Sequence, residues 1–496
     1  MHNITAHNSG VRGGEAVLPA VTTHAFKPIS VEGSKENMQS AGNQRLLCAR
    51  WVAPMSGPPL KDGCVVVEGR QIKAVLFQNQ LESKFSPEYV SQLNANTYDY
   101  GDAVILPGLI NLHTHLDYSS LRAFDVESGL FTWIRSIVGK AASWTTEQWR
   151  QSALHGARET ALAGTSMVVD SSYTGMSVRA LSRIGLRAFV GLELFGLKDE
   201  ESNLAWGQWL AKMDVLRNQD DAQTRIALGT GKIKLTVAPH APYTVCPTLW
   251  LKASTWAQEK DLPLLAHVAE SREECAWIAS GSEVVDNFLG FVRETKDPTK
   301  IPDLESGVKW KGRGLSPVRH LKNYGLLDDH LLAAHAIHID DRDIELLAEC
   351  KSKVVHCPRS NARLRNGYAP LGKLLQAGVQ VGLGTDSLAS CDNLSIVSEA
   401  QFALNLHRAL DTKFAVSSAD MLAAMTVDAA RMLEMDQLIG TLQPGKLADI
   451  AVFAVETADM LAPDNPYDLL LHAPSQLVDL LVDGEFVVRK GQLVNG

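Results

Sequence analysis

The sequence predicts an α/β protein in which a TIM-like (β/α)8 barrel carries a small composite β-sandwich built from both chain ends. Eight short apolar, β-branched segments alternate with helical patterns through the middle of the 496 residues, as in a barrel of parallel strands. Strand-rich segments also occur at both ends, and neither end holds enough strands to close a core by itself. The predicted divisions are a disordered tail over 1–42, the sandwich over 43–105 and 437–496, and the barrel over 106–436.

The composition is that of a globular protein and excludes several function classes. Hydrophobic residues make up 45% and charged residues 21%, which is close to the average for soluble domains. The net charge of -9 and the lack of a basic run argue against nucleic acid or an anionic membrane as a partner. No apolar stretch reaches the roughly 18 residues that a membrane-spanning helix needs.

The cysteines and the first residues indicate a cytoplasmic protein. The 7 cysteines are scattered and never form a C-x-x-C pair, a pattern typical of reduced thiols. The segment 1–42 is polar and lacks the charged start and apolar core of a secretory signal. We therefore expect a disordered tail there, with a loosely docked arm as the alternative.

Both chain ends supply short β-runs for the predicted sandwich. The N-terminal runs are RLLCARWV (45–52), GCVVVEG (63–69) and QIKAVLF (71–77), with a hairpin turn around Gly69. The C-terminal runs are ADIAVFAV (448–455) and LLVDGEFVVRKG (480–491), with a turn around Gly484. One sandwich assembled from both ends is the favoured interpretation, and two separate flanking domains are the alternative.

The middle of the chain supplies the eight strands of the predicted barrel. The candidates are LINLHTH (109–115), TSMVVD (165–170), RAFVGLE (187–193), KLTVAPH (234–240), PLLAHVAE (263–270), LLAAHAIH (331–338), KVVHCP (353–358) and VQVGLGTD (379–386). Helical patterns such as TTEQWRQSALHGARETALAG lie between most of them. A doubly wound open sheet is the alternative, but no G-x-G-x-x-G follows any of these strands, so the barrel is favoured.

Several of these strands end on side chains that can bind a metal ion. The first ends at His113 and His115, and a spacing of two on a strand places both imidazoles on one face. The fifth, sixth and eighth candidates end near His267, His335 and Asp386. Because active sites of such barrels lie at the carboxyl ends of the strands, four ends of this kind predict one metal site.

These residues resemble the amidohydrolase superfamily, and more narrowly its branch of adenosine, guanine and triazine deaminases and dechlorinases. The motifs that carry the resemblance are LPGLINLHTHLDYS (106–119), APHAPYTVC (238–246), HVAES (267–271), AAHAIH (333–338), HCPRSNARLRNGYAP (356–370), GLGTDS (382–387) and GTLQPGKLADI (440–450). The match covers about residues 45–490 in the family's order. The family's fold, a distorted barrel with a composite β-sandwich, agrees with the pattern of strands and helices.

The resemblance implies a role for each of the strand-end residues. The expected metal ligands are His113, His115, His267 and Asp386. Zinc suits this set of nitrogen and oxygen donors, and Fe²⁺ fits it as well. Glu270 matches the family's general acid/base, expected to take a proton from the attacking water and deliver it to the substrate. Asp386 is expected to orient that water, and His335 to hydrogen-bond it or the developing charge.

The resemblance also implies one divalent metal ion per chain. Two-metal members of the superfamily carry a carbamylated lysine at the end of the fourth strand. Here that strand ends at His240, and Lys232 and Lys234 lie at its beginning. A single ion favours attack at an aromatic ring carbon over hydrolysis of a cyclic amide.

The expected reaction is hydrolytic deamination of a ring amine to the oxo product and ammonia. Within the branch, the sequence most resembles aminodeoxyfutalosine deaminases or the deaminases of S-adenosylhomocysteine and methylthioadenosine. The expected substrate contacts are His240, Trp133, Arg122 and Arg359, with Phe131 and Arg363 as further candidates. Each arginine has a surface salt bridge as its alternative role. One departure from the family pattern is Arg365-Asn366, where relatives more often show small residues.

Other functions remain open at this point. The same constellation serves hydrolases that release chloride or an alkylamine from s-triazines, and it serves guanine deaminases. A scaffold protein without activity is a remote alternative, because such descendants typically lose ligands and here every expected one is present. A small-molecule substrate is the expected partner, and the resemblance also implies a possible homo-oligomer.

Overall fold

The computed structural model describes residues 44–122, 129–296, 308–410, 416–456 and 465–494. The predicted disordered tail over 1–42 lies outside these ranges. In the described ranges the strands are β1 (Gln44–Val52), β2 (Leu60–Glu68), β3 (Gln71–Phe77), β4 (Thr97–Asp99), β5 (Ala103–Pro107), β6 (Leu109–Thr114), β7 (Thr165–Ser172), β8 (Arg187–Leu194), β9 (Ile233–Pro239), β10 (Leu264–Val268), β11 (Leu331–His335), β12 (Lys353–His356), β13 (Val381–Leu383), β14 (Ile450–Val455), β15 (Ser475–Val482), β16 (Glu485–Arg489) and β17 (Gln492–Leu493).

The helices of the same ranges connect these strands. They are α1 (Leu81–Lys84), α2 (Pro87–Asn94), α3 (Leu130–Ala141), α4 (Thr146–Leu162), α5 (Met176–Ile184), α6 (Ser202–Arg217), α7 (Ala222–Gly229), α8 (Pro247–Glu259), α9 (Arg272–Ser280), α10 (Glu283–Lys296), α11 (Pro317–Asn323), α12 (Asp341–Glu349), α13 (Pro358–Arg363), α14 (Leu371–Gln376), α15 (Ile396–Leu410), α16 (Ser418–Ala424), α17 (Val427–Met432) and α18 (Pro466–His472). None of these described helices has both the length and the apolar character that a bilayer crossing requires.

Strands β6 to β13 form the predicted barrel. They are all parallel and lie side by side in sequence order, so every one of the eight predicted strands is confirmed. The two ends of this sheet meet where Thr114 forms a parallel bridge with Asp386. The amide of Asp386 also donates to the carbonyl of His113 at 2.9 Å. This closure brings the carboxyl ends of the strands to one rim, which is where a barrel positions its active site.

The remaining strands confirm that both chain ends build one β domain. They form a single nine-stranded sheet in the order β17-β16-β15-β14-β5-β1-β2-β3, with β4 beside β1. Strand β5 joins the two ends, because it pairs parallel with β1 and antiparallel with β14. One hydrophobic cluster contains Leu47, Val65 and Ile105 from the first end and Ile450 and Leu481 from the second. The exact domain boundaries stay a prediction.

A buried ion cluster ties the barrel to this sheet. Arg187, at the start of β8, is 4% exposed and donates to both carboxylate oxygens of Asp449 at 3.0 and 3.1 Å. It also donates to Asp483 at 2.8 Å, and Lys232 lies 3.4 Å from the same carboxylate. Burial alone would raise the pKa of Asp483, but Arg187, Lys232 and Arg70 together outweigh it and lower the pKa from 3.8 to about 2.

Replacing Arg187 by alanine is expected to destabilise the protein by about 3–5 kcal/mol at pH 7, because the buried Asp449 loses the guanidinium that it is bonded to and Asp483 keeps only Lys232 and Arg70. The contribution of Asp483 is present above its ordinary pKa of 3.8 and disappears as the pH falls to about 2. The difference in the free energy of unfolding between the wild type and Arg187→Ala therefore becomes smaller below about pH 4. Urea unfolding at pH 7 and at pH 3 measures this difference. Arg150→Ala is the control, because the Arg150 side chain is 37% exposed and pairs with an exposed glutamate, Glu147. An equal loss in both variants would contradict the prediction.

Candidate active site

Four histidines and one aspartate lie together at the carboxyl rim of the barrel. The side-chain nitrogens of His113 and His115 and a carboxylate oxygen of Asp386 all lie within 4.8 Å of one another. The nitrogens of His113, His267 and His335 form a second group of the same size. The spacing of two between His113 and His115 has the predicted effect, because their rings stand edge to face with centroids 4.9 Å apart.

The hydrogen bonds of these histidines leave ring nitrogens suited to a metal ion. His267 Nδ1 lies 2.8 Å from the carbonyl of His240, so it carries the proton and Nε2 presents a lone pair. That Nε2 lies 3.0 Å from Nε2 of His115. Nε2 of His113 is buried and has no hydrogen-bond partner among the described residues. Buried polar atoms are normally satisfied, so an unpartnered nitrogen in this cluster fits a metal ligand.

Burial keeps these imidazoles neutral, which is the form that binds metal. It lowers the pKa of His113 well below its ordinary value of 6.5, and the neighbouring His115 lowers it further. Burial and His267 lower the pKa of His115 to about 4. The pKa values of His267 and His335 are also lowered, in both cases mainly by burial.

Asp386 supplies the carboxylate of the cluster from a strained backbone. Its φ of 60° is left-handed, a conformation that is costly for a residue with a Cβ and is common at active sites. Ser360 donates to its Oδ2 at 2.5 Å and Ser390 at 3.1 Å. Its Oδ1 lies 3.7 Å from Nε2 of both His113 and His115. Burial would raise the pKa of Asp386, but His115, His335 and Ser360 together lower it, so it is ionised.

Glu270 lies beside the cluster with its carboxylate held on two sides. It is 6% exposed, and Asn366 Nδ2 donates to its Oε1 at 3.1 Å. His335 Nε2 lies 3.8 Å from the same oxygen, and Nδ1 of His335 faces Asn361 Oδ1 at 2.8 Å. Burial raises the pKa of Glu270 to about 8, which is the range of a group that both takes and gives a proton near neutral pH. The backbone amide of Glu270 donates to Glu274 Oε2 at 2.8 Å.

The sequence alone missed the residues that hold the others in place. Ser360, Asn361 and Asn366 all lie in the HCPRSNARLRNGYAP motif, which was recognised as a family feature without a role for each position. Asn366 belongs to the Arg365-Asn366 departure, and the structure shows that it contacts Glu270. Its neighbour Arg365 has a left-handed φ of 59° and is exposed, which turns the chain so that Asn366 points inward.

Replacing Asn366 by alanine is expected to lower kcat about tenfold, because one hydrogen bond to the Glu270 carboxylate is worth roughly 1–1.5 kcal/mol. Metal content and the free energy of unfolding are expected to change little. Steady-state kinetics measure kcat, and a metal analysis of the same preparation measures the metal content. Asn323→Ala, an exposed asparagine at the end of α11, is the control. An unchanged kcat in the Asn366 variant would show that this contact plays no part in catalysis.

Most of the cluster lines a cavity of about 560 Å³. The catalytic end is lined by His115, His267, Glu270, His335 and Asp386. Two predicted substrate contacts, His240 and Trp133, also line the cavity. Further lining residues that the sequence did not single out are Tyr118, Tyr173, Glu193, Phe195 and Tyr243. Glu193 is the penultimate residue of β8, and its carboxylate lies 3.9 Å from Nδ1 of His115.

The arginines predicted to contact substrate lie elsewhere. Arg122 donates to the carbonyl of Asp392 and pairs with Glu159 at 2.7 Å, and its side chain is 41% exposed. Arg359 donates to Asn393, and Arg363 pairs with Asp392. None of the three lines the described cavity. Phe131 lies behind the cavity wall, where its ring contacts Tyr243 and Phe288.

An eight-stranded parallel barrel with buried histidines and carboxylates at its carboxyl rim is the architecture of a metal-dependent barrel hydrolase. Comparison with known proteins shows which family of such hydrolases the chain belongs to. Residues 104–494 match the amidohydrolase family, so the chain belongs to that family. Family membership together with the donor set supports a divalent metal ion in this protein, and the histidines and Asp386 of this centre could hold it.

The most similar proteins include deaminases. The 5-methylthioadenosine/S-adenosylhomocysteine deaminase of Syntrophobacter fumaroxidans is 30% identical over 443 residues, which cover 87% of this chain and 89% of the relative. An adenosine deaminase from Xanthomonas campestris with bound zinc superposes with a TM-score of 0.74 at 26% identity, covering 91% of this chain and 94% of that one.

A third comparison bears on the fold alone. Helicobacter pylori aminofutalosine deaminase, in complex with methylthio-coformycin, has a TM-score of 0.70 at 22% identity and covers 90% of this chain and 100% of that one. The predictions of the family, of the barrel and of a hydrolase in the deaminase class are confirmed.

Proposed function

We propose that this protein is a hydrolytic deaminase of adenine-type nucleosides that uses one zinc ion per chain. The reaction is –N=C(NH2)– + H2O → –NH–C(=O)– + NH3, at the ring carbon that bears the amine, so the neighbouring ring nitrogen of the oxo product carries a proton. The observation that carries the proposal is the position of Glu270, a buried carboxylate beside a cluster of neutral histidines and an ionised aspartate. This arrangement supplies a proton carrier at the point where water and substrate meet.

The donors proposed to hold zinc are His113, His115, His267 and Asp386. Three neutral nitrogens and one carboxylate oxygen match the ligand types of catalytic zinc. When bound, the ion supplies a Lewis acid that lowers the pKa of a water molecule toward neutrality. The hydrogen bonds from Ser360 and Ser390 orient the Asp386 carboxylate, and the His240 carbonyl fixes the ring of His267.

Glu270 carries the protons in this proposal. It takes one from the attacking water and delivers it to the ring nitrogen beside the attacked carbon. It then moves the remaining hydroxyl proton to the amine, so that the C–N bond breaks, the C=O bond forms and the amine leaves as ammonia. His335 stands 3.8 Å from Glu270 and hydrogen-bonds the attacking water. Asn361 orients the His335 ring and Asn366 orients the Glu270 carboxylate, so both groups keep one position through the reaction.

The cavity supports a nucleoside as substrate in preference to a free base. A volume of about 560 Å³ leaves room beyond the catalytic end for a group larger than one heterocycle. Trp133 and His240 both line the cavity. The indole of Trp133 offers a ring face for stacking, and the imidazole of His240 offers a hydrogen-bonding edge. The Syntrophobacter relative is named for two adenine nucleosides, which supports the same substrate class.

Ammonia release by zinc-loaded protein tests the proposal. The panel holds adenosine, 5′-methylthioadenosine, S-adenosylhomocysteine, aminodeoxyfutalosine, guanine, an aminotriazine and a chlorotriazine, with chloride and zinc measured in the same samples. Release from an adenine nucleoside at one zinc per chain is the expected result. Activity on guanine alone, or chloride release from a chlorotriazine without any deamination, would contradict the proposal. Either result would assign the protein the activity of another member of the family. Two bound ions per chain would overturn the metal stoichiometry.

A further inference from the structure

Two cysteines face each other in the sheet that both chain ends build. Cys48 of β1 and Cys64 of β2 are directly opposite in the antiparallel register. Both belong to a small hydrophobic cluster that also contains Leu93 of α2, so their side chains lie on the same face of the sheet. Both thiols are free and buried. The seven cysteines are scattered along the sequence, and the strand register brings these two together.

The backbone pattern makes this a non-hydrogen-bonded pair, the kind in which opposite side chains lie closest. The carbonyl of Cys48 accepts a hydrogen bond at 2.9 Å from the segment 96–101, which contains β4. The amides of Leu46 and Arg50 donate to the same segment at 3.1 and 2.9 Å. The backbone polar groups of Cys48 therefore point toward β4 and away from Cys64, which places the two Cα atoms about 4.5 Å apart. A disulfide spans Cα separations of about 4.4–6.8 Å, so the strands hold the two thiols where a bond can close without backbone movement.

A hydrogen bond between the two thiols divides their roles. Cys48 donates to the sulfur of Cys64, which raises the pKa of Cys48 above its ordinary value of 9.0. The same hydrogen bond lowers the pKa of Cys64 below 9.0, against burial, which acts in the opposite direction. Because the thiolate is the reactive form of cysteine, Cys64 is the nucleophile of the pair and Cys48 is the thiol that can complete a disulfide.

We infer that Cys48 and Cys64 form a modification site at which a peroxide converts the two thiols into a reversible intramolecular disulfide. The Cys64 thiolate attacks one peroxide oxygen, so that an S–O bond forms, the O–O bond breaks and hydroxide leaves, taking up the proton that Cys64 released to become water. The Cys48 thiol then attacks the sulfenic sulfur. The S–S bond forms, the S–O bond breaks, and the hydroxyl group leaves as water with the Cys48 proton. The sum is 2 RSH + H2O2 → RSSR + 2 H2O, and it does not depend on the deaminase reaction.

The surroundings of the pair admit a small oxidant and make the bond reversible. The cluster over the pair is completed by Leu81, Phe85 and Tyr89, which are only partly buried, so a small local opening of this layer lets a peroxide reach the sulfurs. The expected Cα separation is at the short end of the disulfide range, which makes such a bond strained and readily reduced. The bond closes the loop 49–63, and this restriction of the unfolded chain is expected to raise the urea concentration at the midpoint of unfolding.

Peptide mapping of the full-length protein tests the inference. The reduced protein is treated with a small excess of hydrogen peroxide, its remaining thiols are blocked with N-ethylmaleimide, and it is digested with trypsin without reductant. Trypsin separates the two cysteines into the peptides LLCAR (46–50) and DGCVVVEGR (62–70). The expected result is a disulfide-linked pair of these peptides that disappears on treatment with dithiothreitol, together with the higher unfolding midpoint. Absence of the linked pair, or a disulfide from either cysteine to another one, would overturn the inference.

Two less buried cysteines and two serine variants are the controls. Cys275 and Cys350 are less buried than the pair, so a reaction governed by exposure alone would oxidise them first. Cys48→Ser removes the second thiol, and Cys64 is then expected to stop at the sulfenic or sulfinic acid. Cys64→Ser is expected to leave Cys48 as a free thiol. Oxidation of Cys275 or Cys350 in preference to the pair would contradict the modification site, and oxidation of Cys48 in the Cys64→Ser variant would contradict the assigned roles.

Discussion

Replacing Glu270 by glutamine is expected to lower kcat by about 10²–10⁴-fold, while the metal content stays unchanged. Glutamine has nearly the same shape and can still accept the hydrogen bond from Asn366, but it cannot take a proton from water. The side chain is 6% exposed and burial raises the pKa of its carboxyl to about 8, so no bulk water replaces it as a proton carrier. Single-turnover ammonia release and a zinc analysis of the same sample measure the two quantities.

Glu273→Gln is the matched control for that experiment. Glu273 lies three residues further along the chain and is exposed, so the same chemical change there is expected to leave kcat within a factor of two. Comparable loss in both variants would point to a general disturbance of α9. Full activity of the Glu270 variant would remove the general acid/base from the proposal.

Replacing His113 by alanine is expected to reduce bound zinc to less than about a tenth of an equivalent and to abolish activity, with a loss on the order of 10³-fold or more. His113 belongs to both groups of possible ligands, and its Nε2 has no other partner among the described residues. Its ring is also buried between His115 and His267, so no exposed side chain can take its place. Zinc analysis after chelation and refilling, followed by activity, measures the effect.

The control removes a histidine that does not belong to the cluster. His155 lies on α4 with its side chain 45% exposed, and His155→Ala is expected to retain both zinc and activity. A His113 variant that binds a full equivalent of zinc would show that the ion is held by other donors. His113 would then no longer be a proposed ligand.

The proposed metal ligands could be predicted from the sequence, whereas the residues that hold other side chains in position, such as Asn366 and Arg187, could not. Spacing along a strand predicted that His113 and His115 share one face, and the resemblance to the family implied that Glu270 is the proton carrier. Asn366 is 96 residues away from Glu270, and Arg187 is 262 residues away from Asp449. No local pattern relates such residues, because their contact exists only after the barrel and the sheet have formed.

The candidate arginines show a second limit, because residues close to a motif in the sequence need not lie at the site in the structure. Arg122 and Arg359 stand next to family motifs in the sequence, and a carboxylate-bearing substrate made them reasonable candidates. In the structure Arg359 lies within 3.5 Å of the buried Glu399, and Arg122 reaches Glu159 across the surface. Proximity in sequence to an active-site motif therefore did not determine the direction of the side chains.

The sequence by itself determined the barrel, the contribution of both chain ends to one β domain, and the set of histidines and carboxylates at the strand ends. These follow from periodicity and spacing, which act within a few residues and survive in any tertiary context. The tertiary structure decided which side chains hold Asp386 and Glu270 in place and which two cysteines face each other across β1 and β2. The physical reason is that hydrogen-bond partners and cavity walls come from segments joined only by folding, and the energy of each contact depends on the burial that folding creates.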